Sequence, residues 1–205
     1  MPHEIYTSSV SHAPQFDVGM YKHFSVEPST GAIGAQVDGL NVAEAFRDNS
    51  VAHELRAALT RHLVLLFPNQ NLDIDGLRQF GQLFGNLQIN PVVKQQGDAG
   101  DVMLVKQEAE ERYNFSGIWH SDVTWDPHPS GETALYAMEV PECGGDTHFA
   151  NTQLAFETLS PKLQSMLKSM RAIHQLAQSQ MEFAVKKKLD AGISGEKAIQ
   201  MFADH

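Results

Sequence analysis

The sequence has little of what marks a secreted, membrane-spanning or nucleic-acid-binding protein. Its single cysteine, Cys143, excludes an internal disulfide and favours a reducing compartment. Only 15 basic residues stand against 25 acidic ones, and the net charge of -10 repels nucleic acid and anionic membranes. No signal peptide is evident, and the apolar run Leu63–Phe67 is too short to cross a bilayer. We therefore expect a cytoplasmic protein that binds neither nucleic acid nor membrane.

What is present suits a folded globular domain. The chain has 205 residues, of which 42% are hydrophobic and 20% charged, and this balance is typical of a globular protein with a real core. Residues 1–22 are predicted to be a loose leader, and residues 23–205 to form one domain. Predicted strands with a few covering helices indicate an α+β, mainly β class rather than a series of βαβ units.

Periodicity predicts short strands separated by turns, followed by helices. The predicted strands are Phe24–Pro28, Ala32–Val37, Leu63–Phe67, Val102–Val105, Trp119–Trp125, Thr133–Val140 and Asp146–Ala150. The continuous apolar run Leu63–Phe67 is predicted to be buried on both faces. The predicted helices are Ser50–His62 with Ser50 as its cap, Asp73–Phe84, one capped by Asn151 or Thr152, and one opened by Ser160-Pro161. The stretch from residue 175 to residue 205 is polar and helix-prone.

His120 and Asp122 are the first candidates for chemistry. Residues two apart in a strand point to the same side, so this strand presents an imidazole and a carboxylate together. Those groups are two corners of a two-histidine, one-carboxylate set, which binds iron(II) and leaves positions open for cosubstrate and oxygen. Spacing alone is a weak signal, and by itself it favours the alternative of a strand whose histidine and aspartate simply hydrogen-bond to each other.

A second candidate is the hydroxyl of Thr147, which follows the turn at Gly144-Gly145. A hydroxyl at this point is suited to donate a hydrogen bond to a carboxylate ligand. The alternative is an ordinary strand threonine after a turn.

Five segments in order carry a family likeness, and they are Gly31–Leu40, Arg61–Gln70, Phe80–Gly85, Trp119–Thr124 and Gly144–Asn151. The likeness runs from about Phe24 to His174. The pattern resembles the taurine dioxygenase and 2,4-dichlorophenoxyacetate dioxygenase family, whose members depend on iron(II) and 2-oxoglutarate.

The resemblance implies a double-stranded β-helix, or jelly roll, with helices packed outside and its last strands missing. It implies iron(II) held by His120 and Asp122, and 2-oxoglutarate contacted by Thr147. It also implies a reaction in which O2 hydroxylates a small organic acid, such as a sulfonate or an aryloxy acid, with succinate and CO2 as coproducts. Asn90 and Ser116 occupy positions where the family holds its substrate anion. Asn114 is the alternative to Ser116.

The family pattern also includes a second histidine ligand and an arginine far downstream, which we do not find here. None of the later histidines is expected to be that ligand; they are His128, His148, His174 and His205. We therefore expect a C-terminally incomplete domain that is poorly stable, aggregation-prone or a homo-oligomer. The alternatives are a catalytically inactive short homologue that acts as a binding or interaction module, and an unrelated jelly-roll binding protein.

Overall fold

A computed structural model describes residues 20–89, 100–106 and 118–175, together with residues 192 and 194. The chain divides into two compact units, the first formed by Met1–Val102 with Ala134–Lys168 and the second by Met103–Thr133 with Ser169–His205. The sequence predictions for Asn90, Asn114, Ser116 and His205 lie outside the described residues. So does most of the helix-prone stretch after residue 175.

The first unit contains a three-stranded mixed sheet. Strand β1 (Ser25–Pro28) pairs antiparallel with β2 (Ala35–Asp38), and Ser25 lies opposite Asp38. The prediction of both strands is confirmed, but β2 begins three residues later than expected. Gly34 has a φ of 90°, and its carbonyl accepts a hydrogen bond from the Ser29 amide, so the residues before Ala35 form the turn instead.

Strand β3 (Leu65–Leu66) pairs parallel with β2 and lies at the edge of the described sheet, whose order is β1-β2-β3. The prediction of a strand buried on both faces is wrong. Leu65 is half-buried and Leu66 is 49% exposed. The strand is also shorter than predicted, because Leu63 has a left-handed φ of 66° at the end of the preceding helix.

Two helices pack near the sheet, α1 (Asn49–His62) and α2 (Ile74–Gln82). Both predictions are confirmed, except that Asp48 caps α1 where Ser50 was expected. The Asp48 carboxylate accepts a hydrogen bond from the Ser50 amide, and its backbone is extended, as an N-cap requires. A 3-10 helix (Val42–Arg47), which the periodicity did not predict, precedes α1.

Two short helices follow the segment Gly144–Asn151, and they are α3 (Thr152–Glu157) and α4 (Pro161–Lys168). Asn151 caps α3, because its side chain accepts a hydrogen bond from the Leu154 amide at 2.9 Å. Pro161 occupies the first helical position of α4, as predicted. No helix within the described ranges combines the length and the apolar character needed to cross a bilayer.

The core lies in the first unit and is built around α1 and the sheet. Leu55 on α1 is completely buried, and Phe80 on α2 packs edge-on against Phe67 and Phe84 at 5.3 and 5.4 Å between ring centroids. The buried cluster consists of Tyr21, Phe24, Val37, Val42, Ala45, Val51, Leu55, Ala58 and Phe80.

Four predicted strands do not form, although all of them fall in described ranges. They are Val102–Val105, Trp119–Trp125, Thr133–Val140 and Asp146–Ala150. A strand needs hydrogen bonds from a neighbouring strand, and alternation of apolar residues does not supply that neighbour. Apolar side chains here are exposed instead, including Leu104 at 77% and Met138 at 77%.

Candidate metal centre

His120 and Asp122 lie side by side in the second unit. The Nε2 atom of His120 is 3.3 Å from Oδ1 of Asp122, and the side chains are 44% and 46% exposed. The predicted arrangement, in which both side chains lie on one face of a strand, is wrong. Residues 118–121 have no regular structure, and a turn over residues 122–125 begins at Asp122 itself.

The turn after Asp122 is held in an unusual conformation. The Asp126 amide donates a hydrogen bond to the Val123 carbonyl at 3.0 Å, and Val123 has a φ of 50°. The left-handed region is unfavourable for a β-branched residue. Backbone strain of this kind is concentrated at functional sites, where the surrounding structure maintains it.

A backbone carbonyl fixes the imidazole of His120. Its Nδ1 lies 2.8 Å from the carbonyl oxygen of Ile118, and a carbonyl only accepts hydrogen bonds, so Nδ1 carries the proton. In the neutral ring the lone pair is then on Nε2, the nitrogen that faces Asp122. This is the tautomer that metal binding through Nε2 requires.

The carboxylate of Asp122 uses its two oxygens differently. Oδ1 faces His120, whereas Oδ2 accepts a hydrogen bond from Oγ1 of Thr133 at 2.9 Å. The sequence suggests Thr147 as a hydroxyl donor to a carboxylate ligand, whereas in the structure the hydroxyl that donates to Asp122 is that of Thr133. The sequence offers little to identify Thr133 as this donor, beyond its being a hydroxyl residue a few positions after the turn over residues 122–125.

The pair fits iron(II) in both donor chemistry and spacing. One imidazole nitrogen and one carboxylate oxygen belong to the set that iron(II) enzymes use. Two ligand atoms about 2.1 Å from a metal and at right angles to each other are about 3.0 Å apart, close to the 3.3 Å found here. Within the described ranges, no group of three or more histidine, cysteine, aspartate or glutamate side chains is arranged to hold a metal.

The other residues singled out from the sequence are placed as follows. Thr147 is exposed in an irregular segment of the first unit. His128 and His148 are exposed, and the His128 amide donates to Oδ1 of Asp126 at 2.7 Å. His174 is exposed beyond the end of α4.

Comparison with known proteins identifies the family. The family described as "Taurine catabolism dioxygenase TauD, TfdA family" matches residues 25–197. An alpha-ketoglutarate-dependent sulfonate dioxygenase of Saccharomyces cerevisiae is 29% identical over 187 residues, which are 84% of this chain and 44% of that protein. An alkylsulfatase of Acinetobacter baylyi is 32% identical over 147 residues, which are 71% of this chain and 45% of that protein.

A third relative is the alpha-ketoglutarate-dependent 2,4-dichlorophenoxyacetate dioxygenase of Cupriavidus pinatubonensis, 30% identical over 156 residues, which cover 68% of this chain and 54% of that protein. The chain thus spans about half the length of the curated relatives it matches. The family match extends over most of the chain and includes both His120 and Asp122. The chain therefore belongs to the TauD, TfdA family of taurine catabolism dioxygenases.

Proposed function

We propose that the protein represented by this chain is an iron(II)- and 2-oxoglutarate-dependent dioxygenase. It hydroxylates a small organic acid, such as a sulfonate, a sulfate ester or an aryloxy acid, and yields succinate and CO2. The observation that carries the proposal is the approach of His120 Nε2 to Asp122 Oδ1, at 3.3 Å, within a stretch of family likeness. Relatives named as sulfonate, sulfate ester and 2,4-dichlorophenoxyacetate dioxygenases support the substrate class.

In this proposal His120 and Asp122 hold the metal. When bound, iron(II) supplies the activation of O2 that couples 2-oxoglutarate decarboxylation to substrate hydroxylation. The chain positions its ligands for this task. The Ile118 carbonyl keeps the proton on Nδ1 of His120, which leaves Nε2 for the metal. Thr147 contacts 2-oxoglutarate.

The substrate anion lies against Asn90 and Ser116 in this proposal. Both are small polar residues suited to donate hydrogen bonds to a sulfonate or carboxylate oxygen. Oxygen and the organic acid are the partners of the reaction.

The finer description of the fold is also a proposal. Residues 23–205 form part of a double-stranded β-helix with helices outside, and further strands of the same domain cover the exposed apolar side chains after residue 102. Ile173, at 89% exposure, and Leu104 are examples. Apolar surface of this extent is a mark of a missing contact surface. Association into a homo-oligomer is a second way to cover that surface. We also place the protein in the cytoplasm.

The test is anaerobic addition of iron(II) and 2-oxoglutarate to the purified chain, with the visible charge-transfer band of the chelate as the readout. We expect a band that His120→Ala and Asp122→Ala each abolish. The matched control is His174→Ala, which removes an exposed histidine and should leave the band intact. Succinate release with an alkylsulfonate, an alkyl sulfate ester and an aryloxyacetate then identifies the substrate class.

A wild-type chain that is folded but gives neither a band nor succinate with any substrate would contradict the proposal. That outcome supports the alternative of an inactive short homologue that acts as a binding module. A band that survives Asp122→Ala would instead show that the chelate forms elsewhere.

A further inference from the structure

We propose that Thr133 is a positioning residue of the metal centre. It holds the carboxylate of Asp122 in the one orientation that directs Oδ1 to the same point as Nε2 of His120. The inference rests on the proposed function, because it concerns how the iron ligands are held.

The geometry assigns Thr133 to this role. Its Oγ1 donates to Oδ2 of Asp122 at 2.9 Å across eleven residues of chain, so the contact is not a consequence of local helix or turn geometry. A hydroxyl that donates to a carboxylate forms a charge-assisted bond, which is stronger than a neutral one. The bond uses the oxygen that points away from His120 and leaves Oδ1 for the metal.

Asp122 benefits from such a partner because its carboxylate is partly exposed and free to rotate. Its side chain is 46% exposed, and the terminal torsion of an aspartate has only broad preferences. Rotation of the carboxylate by a quarter turn would carry Oδ1 away from the position that faces Nε2. The hydrogen bond from Thr133 removes that freedom before a metal arrives.

The two ligands are thus fixed by the same principle. His120 has its outer nitrogen on the Ile118 carbonyl, and Asp122 has its outer oxygen on the Thr133 hydroxyl. Outer partners of metal ligands orient them, and their loss commonly costs about 10–100-fold in metal affinity. A backbone carbonyl cannot be removed by substitution, which makes Thr133 the partner that mutagenesis can test.

The test is a titration of the full chain with Mn(II) alone, with free metal measured by electron paramagnetic resonance. Thr133→Val keeps the branched shape but removes the donor, and we expect about 10–100-fold weaker binding. Thr133→Ser restores the hydroxyl and should return the affinity close to the wild-type value. The matched control is Thr60→Val, which removes a hydroxyl that donates to the Arg56 carbonyl at 2.8 Å on the exposed face of α1, and should not change Mn(II) affinity.

A purely structural role for Thr133 predicts a different result. The valine variant would then be less stable, but its folded fraction would bind Mn(II) as the wild type does. Circular dichroism verifies the fold of each variant, and Thr133→Ala replaces Thr133→Val if the latter is unfolded. Wild-type affinity in a folded variant without the hydroxyl overturns the inference alone. A wild-type chain that binds Mn(II) no better than the His120→Ala, Asp122→Ala double variant overturns the proposed function, and the inference with it.

Discussion

Glu54 joins the segment that precedes β1 to helix α1. One of its oxygens, Oε2, accepts hydrogen bonds from the backbone amides of Lys22 and His23, at 3.0 and 3.2 Å, and lies 3.1 Å from Nδ1 of the His23 ring. Tyr21 and Phe24 flank Lys22 and His23 in the sequence, and their rings stack in the core with centroids 5.1 Å apart. We therefore expect Glu54→Gln to weaken the attachment of this segment and to lower the free energy of unfolding.

The magnitude follows from the charge that the substitution removes. Hydrogen bonds to a charged group contribute about 1.5–3 kcal/mol and neutral ones about 0.5–1.5 kcal/mol. Glutamine keeps an oxygen acceptor, so the loss is the difference, about 1 kcal/mol.

This contribution depends on pH in a known direction. Burial raises the pKa of Glu54, but the hydrogen bonds from His23 and Lys22 and the charge of His23 outweigh it and hold the pKa below its ordinary value of 4.5. A carboxyl whose pKa is lower in the folded state stabilises the protein above its unfolded pKa. That stabilisation is lost as pH falls through the lower, folded value.

The assay is urea unfolding of the wild type and Glu54→Gln at pH 7 and at several values down to pH 3. The difference of about 1 kcal/mol at pH 7 should shrink below pH 4.5 as the wild-type carboxyl becomes protonated. The control is Glu44→Gln, which alters an exposed glutamate 3.4 Å from Arg47 and should have little effect. A constant difference between wild type and Glu54→Gln at all pH values would refute the reasoning.

Substitutions at three further positions test the fold of the first unit. Leu55→Ala empties a fully buried position and should cost about 3 kcal/mol in urea unfolding, and a loss below about 1 kcal/mol would show that the site is not packed. Asp73→Ala removes the cap of α2, whose Oδ1 accepts from the Gly76 amide at 2.7 Å, and should cost about 1 kcal/mol. Asn151→Ala should cost a similar amount, and Asn151→Ser less, because serine keeps a cap acceptor and loses only the bond to the Ala32 carbonyl; equal losses would refute this division.

The sequence predicts helix starts in this chain better than it predicts strands. Pro161 opens its helix as predicted, the helix predicted from Asp73 begins one residue later, and Asn151 is one of the two caps that the sequence offers for α3. These starts are predictable because a cap acts within its own three or four residues. Ser50 was displaced from its predicted role by Asp48, two residues away, because both side chains are good caps. The segment Thr133–Val140 has the apolar pattern of a strand and forms none, since pairing depends on residues far away in the chain.

The candidate site was only partly predictable from the sequence. The sequence identified His120 and Asp122 as a pair, and their side chains do approach each other, but through a turn rather than a strand. Thr133 was not identified, because no spacing rule connects a hydroxyl to a carboxylate eleven residues earlier. The role of His120 and Asp122 as iron ligands, and that of Thr147 in binding 2-oxoglutarate, stays a prediction.

The parallel pairing of β2 with β3 sets an order in which the first unit can fold. The β1–β2 hairpin closes over a short turn, and such hairpins form in about 1–10 μs. Ala35 of β2 pairs with Leu65 of β3, and the whole of α1 lies between these two residues in the sequence. We therefore expect α1 to form and pack through Leu55 before that contact is made in the folding reaction. We expect Leu55→Ala to act chiefly by slowing folding, whereas changes at the β3 edge should chiefly accelerate unfolding.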